Sequence, residues 1–499
     1  MHHHATMVGS DSTPFTRSDG ATASHTSVTR PVIPSDISRD ADSFPTQSHL
    51  SRAKKPFVTK SNGRTYLSDP SLPYPLPVDL HELHRQSLRS LLLFQLFGGP
   101  VCSPSFANKP PTRVLDLGCG YGFWSMMCHS YYSRKGHSNI HFTGLDIAPL
   151  GGIAGMPSNH QGHHGPLTTP KEKPSAPLSS GSWAEQPPDK SMRWDFVQHD
   201  LRTLPLPFPD EEFDLVMGKD LSLAVPTPHY QSLIEEYIRI LKPGGTLEIW
   251  ECDHPIRMLR PHVPDTPPTA ASGPVSENGT SREKAACDGY FSASAATTKK
   301  SEHEKEMAEL GAYVISNNTP LSGPQNNYLI EYNGWMNKYL DAHQLLAFPC
   351  ANLGAILIQE PLLTNNGSKR LAIPLSEVRW EREGVGGVVT KDGKSYIDTS
   401  KAIGKAPGGK RGSESADPDK KVKSLSAGQL ALRQMALQTV VQFIEGMEPA
   451  LREVSGKKQD EWDVWMGKLM KELIEKDGTS CGECLEVGAW WARKVQNPS

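Results

Sequence analysis

Between residues 63 and 260, short apolar runs of strand character alternate with longer stretches of helical spacing. This order is typical of an α/β fold whose sheet is mostly parallel. Segments of both kinds continue towards the C-terminus. The predicted strands are 113–117, 139–146, 193–200, 213–219, 245–251, 355–363 and 483–494, and the predicted helices are 123–132, 230–241, 326–346 and 462–475, with a long amphipathic segment at 426–454.

A further helix is predicted ahead of the first of these strands. Asp79 and Glu82 stand at the spacing of a capping box, and apolar residues then recur at helical intervals. We expect this helix to pack on the α/β core. The side predicted to face the core carries Leu80, Leu83, Ser87, Leu88, Leu91, Leu92 and Gln95.

Four stretches of low complexity interrupt the pattern and are predicted to be disordered. They are residues 1–60, 150–190, 261–305 and the basic stretch 391–424. Hydrophobic residues make up only 37% of the chain. We therefore expect one sizeable core, built from 63–260, 311–380 and 426–494, rather than several compact domains.

Charge and cysteine usage narrow the class of protein. A net charge of −3 gives no global field that would steer the chain to nucleic acid or to a membrane surface. The eight cysteines are scattered, which favours a reducing compartment over a disulfide framework. No run approaches the roughly 18 apolar residues that a membrane helix requires. We expect a cytoplasmic protein, with the nucleus as the alternative location, without nucleic acid or membrane partners, and we predict no metal site.

The stretch Val-Leu-Asp-Leu-Gly-Cys-Gly-Tyr-Gly-Phe-Trp, residues 114–124, is the most informative motif. Gly118, Gly120 and Gly122 follow a predicted buried strand and open a predicted helix. A glycine turn at that place brings backbone amides against a nucleotide-like ligand. The spacing differs from the G-x-G-x-x-G of dinucleotide sites, and no Walker lysine follows.

With an acidic residue, Asp116, two positions before the first glycine, this motif resembles motif I of class I S-adenosylmethionine-dependent methyltransferases. Residues 206–216, Leu-Pro-Phe-Pro-Asp-Glu-Glu-Phe-Asp-Leu-Val, are similar to a segment of the ubiquinone-biosynthesis type, and the link Leu-Lys-Pro-Gly-Gly follows at 241–245. Segments 74–85 and 239–253, together with the C-terminal strand that ends in Ala-Arg-Lys, resemble the fungal LaeA-like and trans-aconitate-methyltransferase-like group (methyltransferase type 11/25). The resemblance covers 63–260 well and 330–494 loosely, and it implies a Rossmann-like, seven-stranded, mostly parallel sheet with an N-terminal helical cap.

The resemblance also implies S-adenosyl-L-methionine as cofactor, bound across the carboxyl ends of the parallel strands. Asp116 and the glycine turn would face the methionine moiety. Asp146, at the end of the second strand, would accept both ribose hydroxyls, because a carboxylate offers two acceptor oxygens. Asp200 would receive the adenine amino group, with Leu201 beside the ring. The predicted cofactor-binding residues are Asp116, Gly118, Cys119, Gly120, Gly122, Asp146, Ile147, Asp200, Leu201 and Lys219.

The sequence carries no recognisable catalytic signature. Methyl transfer from a sulfonium needs alignment and exclusion of water, and a base only when the acceptor must lose a proton. The weak catalytic candidates are His254 and Asp220, and the alternatives are a structural histidine and a Lys219–Asp220 loop ion pair. Asp253 and Tyr74 are further residues at the predicted rim.

We predict a methyltransferase that acts on oxygen or nitrogen of a small-molecule acceptor. Methyltransferases of exocyclic amines carry an Asp-Pro-Pro-Tyr-type motif after the fourth strand, where this chain has Met-Gly-Lys-Asp at 217–220. The absence of that motif at this position disfavours a DNA substrate. The alternatives are a LaeA-like nuclear regulatory protein that acts through protein partners, with the insertions as its interaction surfaces, and a protein methyltransferase.

Overall fold

The chain is described here by a computed structural model that covers residues 56–107, 109–148, 189–260, 302–315, 319, 321–383 and 425–496. The predicted basic linker 391–424 lies outside these residues, as do 1–55 and nearly all of the two predicted insertions. Residues 56–60, predicted as disordered, instead belong to a small hairpin of β1 (Phe57–Thr59) and β2 (Thr65–Leu67).

Five parallel strands form one half of the main sheet. They are β3 (Arg113–Leu117), β4 (His141–Asp146), β5 (Arg193–Gln198), β6 (Phe213–Lys219) and β7 (Leu241–Cys252). Their order in the sheet is β5-β4-β3-β6-β7, so β3 lies at the centre. The strand order reverses beside β3: β4 and β5 are added on one side of it, and β6 and β7 on the other. Ligands of open α/β sheets bind at such a reversal, outside the carboxyl ends of the strands.

The other half of the sheet is antiparallel. Its strands are β8 (Arg257–Leu259), β9 (Tyr313–Val314), β10 (Leu321–Ser322), β11 (Leu363–Pro374) and β12 (Glu483–Lys494). The long strand β12 lies between β7 and β11 and runs antiparallel to both. The predicted Rossmann-like sheet is confirmed: among the described residues, seven strands have five or more residues, and three short strands on the antiparallel side bring the sheet to ten.

Helices cover both faces of the sheet. They are α1 (Leu80–Phe97), α2 (Phe123–Ser133), α3 (Tyr230–Ile240), α4 (302–310), α5 (Asn327–Ala342), α6 (Pro349–Gln359), α7 (Arg379–Glu383), α8 (Ala427–Gly446), α9 (Glu448–Ser455) and α10 (Gln459–Met470), which a π-helical turn, Lys471–Glu475, continues. The predicted amphipathic segment 426–454 is thus two helices, divided after Gly446. The α4 helix begins inside the stretch predicted as disordered up to residue 305.

One predicted strand is wrong. Residues 355–363 were expected to be extended, but 355–359 are the second half of α6, and β11 begins only at Leu363. A continuous apolar run cannot distinguish a buried strand from a buried helix by periodicity. The deciding signal is Pro349 in the first turn of the helix, a position where its missing N–H leaves no hydrogen bond unmade.

The helix α1 begins as predicted but buries a different side. Asp79 caps it by accepting a hydrogen bond from the Glu82 backbone N–H at 3.1 Å, while the Glu82 carboxylate pairs with Arg85 at 2.6 Å in place of the second half of a capping box. Two residues of the predicted inner side, Leu80 and Leu91, are 52% and 42% exposed. The buried apolar residues are Leu83, Leu92, Leu93, Leu96 and Phe97.

The inner side of α1 is rotated because it also carries two buried arginines, Arg85 and Arg89. Such side chains are buried only when they are paired. Arg89 forms two hydrogen bonds to Asp220, at 2.7 and 2.8 Å, beyond the carboxyl end of β6. A hydrophobic periodicity scores arginine as a solvent-facing residue and therefore places the core on the wrong flank of this helix.

Two neighbouring leucines test this assignment. Leu92 is fully buried and Leu91 is 42% exposed. Leu92→Ala is expected to lower the free energy of unfolding by about 2–5 kcal/mol, because it leaves a cavity in the core. Leu91→Ala, the matched control, is expected to change it by less than about 0.5 kcal/mol. Urea unfolding followed by circular dichroism measures both, and equal losses would contradict the assigned inner side.

Candidate functional site

A cavity opens beyond the carboxyl ends of β3, β4 and β6, at the reversal point of the sheet. The glycine turn after β3 and the ends of β4 and β6 form its floor. Residues of α1, of α8 and of the segment between β2 and α1 close over it. The predicted site residues that line it are Gly118, Cys119, Gly120, Asp146, Ile147, Asp200, Leu201, Lys219, Asp220, Asp253, His254 and Tyr74.

The glycine turn needs glycine for two different reasons. Gly118, Gly120 and Gly122 have φ angles of +60°, +56° and +77°, in the left-handed region that favours glycine. A Cβ on Gly118 would also lie 2.7 Å from the Leu221 side chain. A Cβ on Gly120 would meet only the end of Gln86, at 3.8 Å, so at this residue the backbone itself forms the cavity wall.

Asp146 is held at the wall of the cavity by backbone amides. Its Oδ2 accepts a hydrogen bond from Gly120 N–H at 2.8 Å, and its Oδ1 accepts one from Ala148 N–H at 3.0 Å. Burial raises the pKa of Asp146. An ionised carboxylate has about four acceptor sites, so one more remains on each oxygen. The geometry therefore suits a ligand with two adjacent hydroxyl donors.

Asp200 also lines the cavity, but its carboxylate is shared with a neighbour. Arg202 donates to it at 2.7 and 3.1 Å and donates at 2.6 Å to the carbonyl of Ser71, ahead of α1. Burial alone would raise the pKa of Asp200, but the hydrogen bonds from Arg202 outweigh it and lower the pKa. This pair ties the loop after β5 to the segment that closes the cavity.

Asp116 and Gly122 are not among the residues that line the cavity in the described part of the chain. Asp116 is fully buried; it accepts hydrogen bonds from Ser125 Oγ at 2.8 Å and from Lys219 Nζ at 3.0 Å. Lys219 thus stands between Asp116 and the cavity. Gly122 is the N-cap residue of α2, behind the turn. The sequence placed both residues against the ligand, whereas the structure places them behind the wall.

Lys219 and Asp220 do not form the loop ion pair that the sequence suggested as an alternative. Lys219 pairs with Asp116, and Asp220 pairs with Arg89. Burial alone would raise the pKa of the Asp220 carboxyl, but the paired Arg89 guanidinium outweighs burial and lowers this pKa. Asp220 therefore stays ionised and is a weak base.

His254 lies deep in the site, 5% exposed, and its ring stacks on Phe443 of α8 with the ring centroids 6.1 Å apart. Its Nε2 lies 2.9 Å from Ser222 Oγ, and Ser222 Oγ donates at 2.7 Å to Glu251 Oε2. Burial lowers the pKa of His254 to about 3, so the ring does not become an imidazolium at neutral pH.

The other two rim residues have structural contacts. Asp253 accepts from Cys350 N–H at 2.9 Å and from Arg257 at 2.8 Å, and burial raises its pKa to about 6. Gln86 Nε2 donates a hydrogen bond to the Tyr74 hydroxyl at 3.4 Å, and burial raises the pKa of the Tyr74 hydroxyl.

Sequence reasoning missed four polar or aromatic residues of the site: Arg89, Ser222, Glu251 and Phe443. One signal was present for Glu251, because a carboxylate inside a predicted parallel strand, buried on both faces, requires a partner. The partners of Glu251 come from the loop after a different strand, so the sequence could not name them.

The described residues contain neither a candidate metal centre nor a candidate membrane-spanning helix. No group of three or more His, Cys, Asp or Glu side chains among them is placed to hold a metal ion. No helix in this part of the chain is long and apolar enough to cross a membrane.

Comparison with known proteins gives matches over part of the chain. Residues 182–245 match the family described as Methyltransferase domain. The chain is 35% identical over 118 residues to the secondary metabolism regulator laeA of Aspergillus niger, covering 23% of this chain and 28% of that protein. It is 30% identical over 161 residues to phthiotriol/phenolphthiotriol dimycocerosates methyltransferase 1 of Mycobacterium ulcerans, covering 30% and 45%. The chain thus spans less than half the length of these relatives.

Among solved structures, the N-methyltransferase NodS of Bradyrhizobium japonicum WM9, in complex with S-adenosyl-L-homocysteine, is 14% identical with a TM-score of 0.19. The match covers 37% of this chain and 64% of that one.

The buried pair behind the cavity wall gives a stability prediction. Lys219→Met leaves the Asp116 carboxylate buried without its cation, and the free energy of unfolding is expected to fall by about 3–5 kcal/mol. The double variant Asp116→Asn/Lys219→Met is expected to recover part of this loss, because no buried charge remains. Urea unfolding measures both.

The matched control is Lys476→Met, because Lys476 is 57% exposed in its pair with Glu472. That pair is expected to contribute less than about 1 kcal/mol. A loss for Lys219→Met no larger than that of the control would contradict a buried Asp116–Lys219 pair.

Proposed function

We propose that this chain, which carries a class I methyltransferase domain with S-adenosylmethionine as its cofactor, transfers the methyl group to oxygen or nitrogen of a small-molecule acceptor. One observation carries the proposal: the Asp146 carboxylate, fixed by the Gly120 and Ala148 amides, stands at the wall of a cavity floored by the glycine turn.

The residues present fit this cofactor. The two free acceptor sites of Asp146 suit the two hydroxyls of a ribose. Asp200 and Leu201 lie on the same wall and suit an adenine with its amino group. The exposed backbone of Gly120 lets the ligand come close to the turn. When bound, the cofactor supplies an electrophilic methyl group on a sulfonium.

The chain's own contribution is alignment and exclusion of water. The α1 and α8 helices cover the cavity, and the acceptor end is lined largely by apolar and aromatic side chains. Such a lining selects a small, mostly apolar acceptor and keeps water away from the reacting atoms. The residues that support this are Tyr74, Leu76, Ile256, Tyr332, Val440, Phe443 and Leu485.

A second proposal rests on the similarity to the regulator of Aspergillus niger. On this proposal the domain still binds the cofactor, but its role is exerted through protein partners in the nucleus. Deleting 151–188 and 261–301 separates the two. A small-molecule enzyme is expected to keep cofactor binding and methyl transfer, whereas a regulator loses its partners.

Cofactor binding is tested at the glycine turn. Gly120→Arg places a long side chain at the cavity wall, and calorimetric titration with S-adenosylhomocysteine is expected to show binding in the wild type and none in the variant. Gly136→Arg is the matched control, because Gly136 has a φ of +87°, with nothing within 4 Å of its Cβ position, and lies in the turn after α2. Equal affinity of both variants would contradict the placement of the ligand.

Asp146→Asn tests the ribose contact. The amide keeps one acceptor oxygen and loses the other, so the affinity for S-adenosylhomocysteine is expected to fall by about 1–3 kcal/mol, roughly 5- to 150-fold. Asp195→Asn, on the neighbouring strand with a 63% exposed side chain, is expected to leave the affinity unchanged. Calorimetric titration measures both, and unchanged affinity in Asp146→Asn would remove the carboxylate from the binding site.

A further inference from the structure

Three side chains form a continuous hydrogen-bonded chain that ends at the cavity. Glu251 Oε1 accepts from the backbone N–H groups of Leu221 and Ser222, at 2.7 and 3.0 Å. Ser222 Oγ donates to Glu251 Oε2 at 2.7 Å and lies 2.9 Å from His254 Nε2. Glu251, Ser222 and His254 are all at least nine-tenths buried.

Hydrogen-bond accounting fixes where the protons lie. An ionised carboxylate only accepts, so the single Ser222 proton points to Glu251. His254 Nε2 must then carry a proton and donate to Ser222 Oγ. The neutral ring has one proton, so Nδ1 holds a lone pair. This Nδ1 is buried and has no hydrogen-bond partner among the described residues, although the ring lines the cavity.

One added proton reverses the whole chain. Since Oε1 already accepts two backbone bonds, a proton on Glu251 lies on Oε2 and is donated to Ser222 Oγ. Ser222 then donates to His254 Nε2, and the ring carries its proton on Nδ1. The two states differ by one proton, taken up at Nδ1 and stored at Glu251, and the ring is neutral in both.

We propose that His254, Ser222 and Glu251 form a proton relay that removes a proton from the methyl acceptor. The acceptor O–H bond breaks as the Nδ1–H bond forms; the Nε2 proton moves to Ser222 Oγ, and the Ser222 proton moves to Glu251 Oε2. The deprotonated acceptor oxygen would then be ready to take the methyl group that the bound cofactor would supply. The inference rests on the proposed function, and it assigns His254 as the catalytic base, with Ser222 and Glu251 as the residues that carry the proton onward.

The environment suits storage of the proton at Glu251 rather than on the ring. Burial raises the pKa of Glu251 to about 8, with a further contribution from the Asp220 charge, and burial lowers that of His254 to about 3. The titratable or charged groups that face this chain from the surrounding elements are Arg89, Asp220, Cys252, Tyr230, Tyr237, Tyr332 and Cys350.

The relay also names the class of acceptor. It accepts a proton only when Glu251 is ionised, which is above a pH of about 8. A base of that strength deprotonates an acidic hydroxyl, such as a phenol or an enol, far more readily than an aliphatic alcohol. A small acceptor with an acidic hydroxyl, such as a phenol, therefore suits the relay, and the largely apolar lining of the cavity suits its ring.

The tautomer of His254 tests the relay without a known acceptor. In protein labelled with [15N]histidine and saturated with S-adenosylhomocysteine, the His254 signals are identified by their loss in His254→Asn. Nε2 is expected to be protonated above a pH of about 8 and Nδ1 below it, with no imidazolium down to pH 5. Conversion to an imidazolium near the usual pKa of histidine would overturn the relay.

Glu251→Gln is the diagnostic variant. Its amide donates permanently to Ser222, so His254 is expected to carry its proton on Nδ1 at every pH. Ser222→Ala, which leaves Glu251 and its backbone contacts in place, is expected to abolish the switch near pH 8. A pH-dependent tautomer that persists in both variants would show that Glu251 does not store the proton.

His129 is the internal control. It is also buried, and its Nε2 lies 3.1 Å from Ser191 Oγ, which donates to Asp189. Hydrogen bonds from Ser191 lower the pKa of Asp189, and His129 lies outside the cavity lining. Its tautomer is therefore expected to be the same in the wild type and in Glu251→Gln at each pH.

The same samples separate this inference from the proposed function. Failure of the wild type to bind S-adenosylhomocysteine would remove the proposed function; binding with no tautomer switch would remove the relay alone.

Discussion

Carboxylates at the carboxyl edge of the sheet must each find a donor, and this constraint arranges the site. Asp116, Asp146, Asp220 and Glu251 follow or belong to four neighbouring strands; Asp146 and Asp220 line the cavity, whereas Asp116 and Glu251 are buried behind its wall. Each is satisfied by a different kind of group: a lysine for Asp116, backbone amides for Asp146, a guanidinium for Asp220, and a serine with two amides for Glu251. Because an unpaired buried charge is costly, the partners of Asp116 and Glu251 have their positions determined by these carboxylates.

The kind of donor decides what each carboxylate can still do. Asp116 and Asp220 are each occupied by a cation and act as anchors, and Asp220 fixes α1 over the cavity through Arg89. Amides leave Asp146 with unused acceptor sites at the cavity wall. Glu251 has no cation in hydrogen-bond contact in the described residues, and burial beside Asp220 raises its pKa. It is therefore the member of the group that can exchange a proton near neutral pH.

The sequence predicted the elements that local pattern and local chemistry determine. The bounds of β3, β6 and β12 agree to the residue. It was wrong where local pattern is ambiguous, as in α6, where a continuous apolar run fits either kind of element. It was also wrong about the inner side of α1, because the partner of Arg89, Asp220, lies 131 positions along the chain.

The same distinction applies inside the site. The glycine turn and Asp146 were found from sequence because their chemistry needs particular residue types at short spacing. His254 was found as a histidine at a strand end, but its role depends on Ser222 and Glu251, which are unremarkable in sequence. Only the fold shows that the loop after β6 brings a hydroxyl between a carboxylate of β7 and the histidine that follows it. A relay of this kind has no local motif: its specificity lies in which atom of each group is already occupied, and that is a property of the assembled sheet edge.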